Sequence, residues 1–170
     1  MELKKVVFAA ILAAISVVLD VLSKYMIGIQ TMGTGYYAIP IIIAAIFLGV
    51  KYSVVVAVLA DLVSVLLAGQ TILPLFVLGP IFWGLIPALF LNKDSSLVKI
   101  VIVVIFAHLL ATLANTLALY VHIHGSITQT LIGLPLRLGL IIPNSLIIAF
   151  IVEAIKEALM LRPSFLNNDE

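Results

Sequence analysis

The stretch VVFAAILAAISVVLDVL, residues 6–22, decides the class of this protein. Its residues are almost all apolar, and about 20 apolar residues are enough for a helix to cross a bilayer. A secretory signal peptide has a shorter apolar region followed by a small-residue cleavage site. We therefore predict a retained membrane-spanning helix at the beginning of this chain.

The composition of the whole chain has the same character. Of 170 residues, 64% are hydrophobic and only 10% are charged, and the net charge is +1. Soluble domains are about 25% charged. The absence of cysteine excludes disulfides and thiolate metal sites. These values exclude a soluble domain, a disordered tail and a basic nucleic-acid binder, and they indicate an integral membrane protein.

Polar and turn-forming clusters divide the chain into six apolar segments. We predict an all-α integral membrane protein with one six-helix transmembrane domain over residues 1–162 and a short cytoplasmic tail over residues 163–170. The predicted spans cover residues 5–25, 36–50, 53–68, 72–91, 97–120 and 131–161. A five-span arrangement, in which the second and third segments are re-entrant, is the alternative.

The basic residues predict the orientation, because cytoplasmic loops retain lysine and arginine. With the N-terminus inside, only Lys24 and Arg137 lie toward the outside. The other basic residues all lie on the cytoplasmic side: Lys4, Lys5, Lys51, Lys93, Lys99, Lys156 and Arg162. We therefore predict that both termini are cytoplasmic.

Four charged residues fall at bilayer depth in the outer half: Asp20, Lys24, Asp61 and Arg137. Charges at this depth are costly and are candidates for function. Asp20 and Lys24 are four residues apart on one helix, so they can neutralise each other. Arg137 either pairs with Asp61 or lies at the edge of an outward-facing pocket, where its planar fork would bind a carboxylate. The sequence leaves both interpretations open.

Uncharged polar and aromatic side chains also concentrate in the outer half, whereas the inner halves are aliphatic apart from His108 and Asn144. A channel would carry polar groups through to both faces. The asymmetry therefore predicts a pocket that is open to the outside and closed below. The candidate substrate-binding residues are Lys24, Tyr25, Gln30, Thr34, Tyr36, Tyr37, Gln70, Phe76, Asn115, Tyr120 and Arg137.

Residues suited to catalysis or energy conversion are scarce. The chain has no glycine-rich phosphate-binding loop, so any energy for transport would come from an ion gradient or another subunit. His108, His122 and His124 form no metal set, and Ser145 with His108 is only a nominal catalytic pair. We predict no enzyme activity, no cofactor and no metal.

A strip of small residues marks the first predicted span. Ala9 and Ala13 are one turn apart, as are Ala10 and Ala14, and such a strip lets another helix approach closely. The strip predicts a docking face for a partner helix, with ordinary packing inside the molecule as the alternative.

Six spans, the alanine strip, an outer polar pocket and the lack of an ATPase together resemble a substrate-binding (S) component of an energy-coupling factor (ECF) transporter. The resemblance covers essentially the whole chain. Short motifs are similar to the folate-family branch: YYAIP at residues 36–40, FLG at 47–49, ADL at 60–62, NTL at 115–117 and LPLRL at 134–138.

This resemblance implies a high-affinity subunit that captures a B-type vitamin or precursor outside a bacterial plasma membrane. It would deliver the vitamin inside when docked, through the alanine strip, on a coupling subunit with two cytoplasmic ATPases. Residues 27–35 would form a lid whose glycines permit gating. Residues 23–30 carry Lys24 but not the arginine typical of folate carriers, so folate, pantothenate, pyridoxine and hydroxymethylpyrimidine all stay open. The alternative function is a stand-alone secondary carrier or channel.

Overall fold

The computed structural model describes residues 2–25 and 35–161, with the side chains of residues 3–23 and 35–161. Within these ranges the regular elements are all helical, with no strand. In chain order they are α1 (Glu2–Tyr25), α2 (Ala38–Leu48), α3 (Val50–Leu67), a 3₁₀ turn (Pro74–Val77), α4 (Leu78–Phe90), α5 (Leu97–Leu119), a π-helical turn (Tyr120–His124), α6 (Ile127–Ile132) and α7 (Leu134–Met160).

Four helical stretches are long and apolar enough to cross a membrane: Leu3–Ser23, Val50–Leu67, Leu97–His124 and Ile127–Met160. Two apolar stretches, Ala38–Leu48 and Pro74–Phe90, are shorter. At about 1.5 Å per residue, α2 extends only about 16 Å, roughly half the hydrocarbon thickness. The predicted all-helical membrane class is confirmed, whereas the six-span count stays a prediction.

Helix α2 occupies the centre of the bundle. It packs against α1, α3, α4 and α7, and every residue from Ala38 to Ile46 is buried. Its sequence, AIPIIIAAIFL, has no polar side chain on any face, as expected for a helix surrounded by protein. The bundle therefore closes around α2, and the large apolar side chains left exposed lie on the outer helices.

The helix junctions differ in detail from the predicted spans. Gly49 has φ 80°, which allows α2 to end and α3 to begin at Val50 rather than at residue 53. The last predicted span, residues 131–161, consists of α6 and α7 separated by Gly133. A proline at the beginning of α7 favours a new helix start there.

Two sets of side-chain contacts join elements of the bundle. At the crossing of α3 and α4, the Ser53 hydroxyl donates a hydrogen bond of 3.0 Å to the Gly84 carbonyl. At the end of the bundle where α5 begins, the buried Lys156 ammonium donates to the Ser95 carbonyl at 2.6 Å and pairs with Glu153 at 2.7 Å. This second contact ties the α4–α5 loop to α7 and closes the bundle at that end.

Candidate functional site

Two adjoining cavities lie at the opposite end of the bundle, where α1 and α3 end and α4 and α7 begin. The first, here called the first lobe, has a volume of about 370 Å³, and the second lobe has about 470 Å³. Both fall in the size range of small-molecule sites. The two lobes share five lining residues, Gly35, Tyr37, Phe76, Asn115 and Leu119. Because they share this wall, we treat them as one two-lobed site.

The first lobe is acidic on one side and apolar on the others. Asp20 from α1 and Asp61 from α3 both line it, and Asp20 is buried. Ser23, Gln70 and Thr71 add uncharged polar groups, while Phe76 and other apolar residues line the rest. Asp20 and Asp61 each already take part in an interaction of their own, and Gln70 and Thr71 add groups that can both donate and accept hydrogen bonds.

The second lobe carries the opposite charge. Arg137, in the second turn of α7, is half-buried and lines this lobe with His124 and Gln129. Its guanidinium folds back over Gly133, where an added Cβ would lie 3.4 Å from Nη2. Among the described residues, no carboxylate forms an ion pair with Arg137. Asp61 and Arg137 line different lobes, so the two predicted partners contribute to opposite sides of the site.

A chain of aromatic and polar contacts forms the base of the site. The Trp83 side chain hydrogen-bonds Tyr37, and its ring lies 5.1 Å from the His108 ring at an angle of 50°. His108 Nδ1 is 3.0 Å from the Ser145 hydroxyl. These contacts join α4, α5 and α7 to the residue preceding α2, so the base of the site is held by four segments distant in sequence.

Asn115 stands in the wall between the lobes. Its Oδ1 atom is buried and has no hydrogen-bond partner in the described part of the chain. Gly79 of α4 approaches it so closely that an added Cβ would lie 2.6 Å from this oxygen. A buried acceptor without a partner costs about 1–3 kcal/mol, which a ligand donating a hydrogen bond would recover.

The structure brings together five of the predicted binding residues: Tyr37, Gln70, Phe76, Asn115 and Arg137. Two others lie outside the lining of both lobes. Tyr36 donates a long hydrogen bond of 3.5 Å to Asn144, and Tyr120 begins the π-helical turn with its side chain exposed.

The remaining predicted residues fall where the structure gives no side chain. Lys24 and Tyr25 belong to the last turn of α1, but their side chains are outside the described part. Gln30 and Thr34 lie outside the described residues, as does most of the predicted lid. Their binding roles stay predictions.

Several lining residues were not among the predicted binding residues: Asp20, Asp61, Trp83, His108, Thr112, His124 and Gln129. One signal could have found part of this set. His108, Thr112, Asn115 and Leu119 recur at the helical spacing that places side chains on one face of α5. This periodicity indicates a face of α5 that lines a cavity within the bundle. Grouping residues by predicted depth instead left His108 among aliphatic residues, apart from the outer polar cluster.

His108 and Ser145, the nominal catalytic pair, are in contact within the bundle. Ser145 is fully buried and lines neither lobe, so its hydroxyl holds the His108 ring from behind. Among the described residues, no group of three or more histidine or acidic side chains could hold a metal ion.

The alanine strip divides into two faces. Ala9 is buried and Ala13 packs against the core, so these two residues contact the protein's own bundle. Ala10 and Ala14 are exposed on the outer face of α1. Intramolecular packing therefore uses half of the strip and leaves the other half accessible.

A family model for the ECF transporter substrate-specific component matches residues 4–161. The chain belongs to this family. Comparisons with curated proteins and with solved structures give no match. As an ECF substrate-specific component, the chain is a transporter subunit of a membrane complex. The family implies a small-molecule substrate, a coupling subunit and ATPases as its partners.

Proposed function

We propose that this substrate-specific component captures a B-type vitamin or vitamin precursor with high affinity in the two-lobed site. The observation that carries the proposal is the site itself, a cavity of ligand size on which charged and polar side chains of α1, α3, α5, α6 and α7 converge. The candidates are folate, pantothenate, pyridoxine and hydroxymethylpyrimidine, with the folate-family branch suggested by the short motifs. Catalysis has no part in this function.

The proposed topology has six spans, with both termini on the cytoplasmic side of a bacterial plasma membrane and the site facing outward. The positive-inside rule supports this orientation. Lys51, Lys93, Lys99 and Lys156 belong to the end of the bundle opposite the site, whereas Arg137 lines the site. In the same proposal, residues 1–162 form one transmembrane domain and residues 163–170 a tail.

Delivery would follow docking on the coupling subunit, with two cytoplasmic ATPases supplying the energy. The accessible half of the alanine strip supports α1 as the docking helix, because Ala10 and Ala14 leave a shallow exposed surface between large apolar side chains such as Val7 and Ile11. Small residues of this kind permit close helix approach within a membrane.

Binding and transport measurements test this function. The protein is purified in mild detergent, and native mass spectrometry identifies any small molecule that it retains. We expect one bound vitamin without ATP, and uptake into proteoliposomes only when the coupling subunit and ATPases are present. Transport by this chain alone would instead support the alternative, a stand-alone carrier or channel.

A substitution on α1 separates docking from binding. We expect Ala14→Leu to abolish vitamin uptake by the assembled transporter while binding by the isolated subunit stays unchanged, because the added side chain projects outward. Ala154→Leu makes the same change on an exposed position of α7 and is the matched control, with binding and uptake both retained. Normal uptake by Ala14→Leu would refute the docking face.

A further inference from the structure

Arg137 is a half-buried charge with no carboxylate partner among the described residues. The guanidinium lines the second lobe, and no carboxylate of the described residues pairs with it. Residues 26–34, which lie outside the described part, contain no aspartate or glutamate that could serve.

The guanidinium of Arg137, without a carboxylate partner among the described residues, favours binding of an anion. Charges removed from water inside a membrane protein are costly unless they are paired, and they mark substrate sites. The fork of an arginine matches carboxylate or phosphate through two parallel hydrogen bonds. Thr112, His124 and Gln129 line the same lobe and offer further hydrogen bonds to such a group.

The wall between the lobes offers a hydrogen-bond acceptor to a ligand. Asn115 Oδ1, in the wall between the lobes, is a buried acceptor with no partner among the described residues. Beyond it, Asp20 and Asp61 line the first lobe, where each already takes part in an interaction of its own. The polarity of the site therefore changes from a cation at Arg137 to an acceptor without a described partner at the shared wall.

From this polarity we infer the substrate class, an inference that rests on the proposed function. The substrate is an elongated acid that spans both lobes. Its carboxylate or phosphate binds Arg137 in the second lobe, a hydrogen-bond donor at its middle meets Asn115 Oδ1, and the rest of the molecule extends into the first lobe. Folate and pantothenate carry the required carboxylate, whereas pyridoxine and hydroxymethylpyrimidine do not.

Changes in the ligand test this inference without altering the protein. Binding to the wild-type subunit in dodecyl maltoside is measured by isothermal titration calorimetry for folate, pantothenate, pyridoxine and hydroxymethylpyrimidine. Neutral counterparts, folate dimethyl ester and panthenol, are measured beside the two acids. Trp83, the only tryptophan, lines the second lobe and reports its occupancy by fluorescence for probes that do not absorb with it. We expect an acid to bind, with its neutral counterpart about 10- to 150-fold weaker.

Substitutions at Arg137 then test whether the difference in affinity between the acid and its neutral counterpart depends on this side chain. We expect Arg137→Gln to weaken binding of the acid by the same factor and to leave binding of the neutral counterpart unchanged. Arg137→Lys keeps the charge but not the fork, so its loss should be smaller. Lys99→Gln removes an exposed positive charge at the start of α5 and is the matched control. Thermal unfolding of each variant confirms that the fold is retained.

The outcomes separate the inference from the function on which it rests. Tight binding of a neutral probe, a retained small molecule without an acidic group, or equal loss of acid and neutral ligand in Arg137→Gln overturns the acid assignment alone. A phosphatidylglycerol adduct that occupies the wild-type subunit and disappears in Arg137→Gln also overturns it, since a lipid phosphate would then hold Arg137. If no small molecule binds or is retained at all, the proposed function itself fails.

Discussion

Gly79→Ala is a small perturbation aimed at one atom of the site. Gly79 is a buried residue of α4, and a Cβ added there would lie 2.6 Å from Oδ1 of Asn115 and 3.1 Å from its Cγ and Nδ2. Such distances are too short for carbon against oxygen, so something must move. The amide is the end of a side chain and can rotate, whereas moving α4 against α5 would disturb the whole bundle. We therefore expect the amide to swing away from its position between the lobes.

The size of the effect follows from the hydrogen bond that is lost. A neutral hydrogen bond contributes about 0.5–1.5 kcal/mol, so displacing the Asn115 acceptor should weaken vitamin binding about 2- to 12-fold. Folding should change little, because alanine is favoured over glycine within a helix by up to about 1 kcal/mol and this gain offsets the cost of rotating the amide. Binding and stability should thus respond differently to the same substitution.

A double-mutant cycle measures whether the amide carries the effect. Binding of the retained vitamin is compared by calorimetry for the wild type, Gly79→Ala, Asn115→Ala and the double variant. If the new methyl group acts through the amide, Gly79→Ala adds no further loss once Asn115 is alanine. An equal loss in both backgrounds would refute the reasoning, as would unchanged binding by Gly79→Ala. Gly139→Ala, where an added Cβ meets nothing within 4 Å, is the control.

Two further substitutions test the packing that supports the site. In Gly84→Ala the new Cβ would lie 2.8 Å from the Ser53 carbonyl oxygen, which is backbone and cannot rotate away; we expect a loss of about 1–3 kcal/mol in thermal unfolding, and unchanged stability would contradict this tight crossing. Lys156→Met leaves Glu153 without its partner at 2.7 Å, so we expect a loss of about 3–5 kcal/mol, of which Glu153→Gln in the same chain should restore part. A double variant as unstable as Lys156→Met alone would argue against the ion pair.

The class of the fold could be predicted because its signals are local. Long apolar runs such as residues 6–22, interrupted by glycine, proline and polar clusters, indicate helices wherever they occur. The ends of the helices were less accurately predicted, since Gly49 joins α2 to α3 without a loop and Gly133 divides the last segment. Hydropathy reports neither of these, because both depend on backbone conformation at one residue.

Some residues that line the candidate site could be selected from the sequence by their depth along the predicted spans. Polar residues at matching depth, such as Tyr37, Asn115 and Arg137, could be recognised as a cluster from the order of the spans. Tyr36 could not be separated from Tyr37, although adjacent residues point in different directions and only Tyr37 lines the site. The directions of the Tyr36 and Tyr37 side chains depend on how α2, which begins at Ala38, is oriented in the bundle.

By itself, the sequence determined that this chain is a helical membrane protein of the ECF substrate-specific family, since composition, charge distribution and short motifs are properties of the chain alone. Only the tertiary structure decided that the polar groups form two lobes of opposite character. The predicted depths of Asp61 and Arg137 allowed either an ion pair between them or a pocket position for Arg137. The two residues line separate lobes because α3 and α7 contribute to different sides of the cavity. Contacts between segments distant in sequence set the lobe to which each charged side chain contributes.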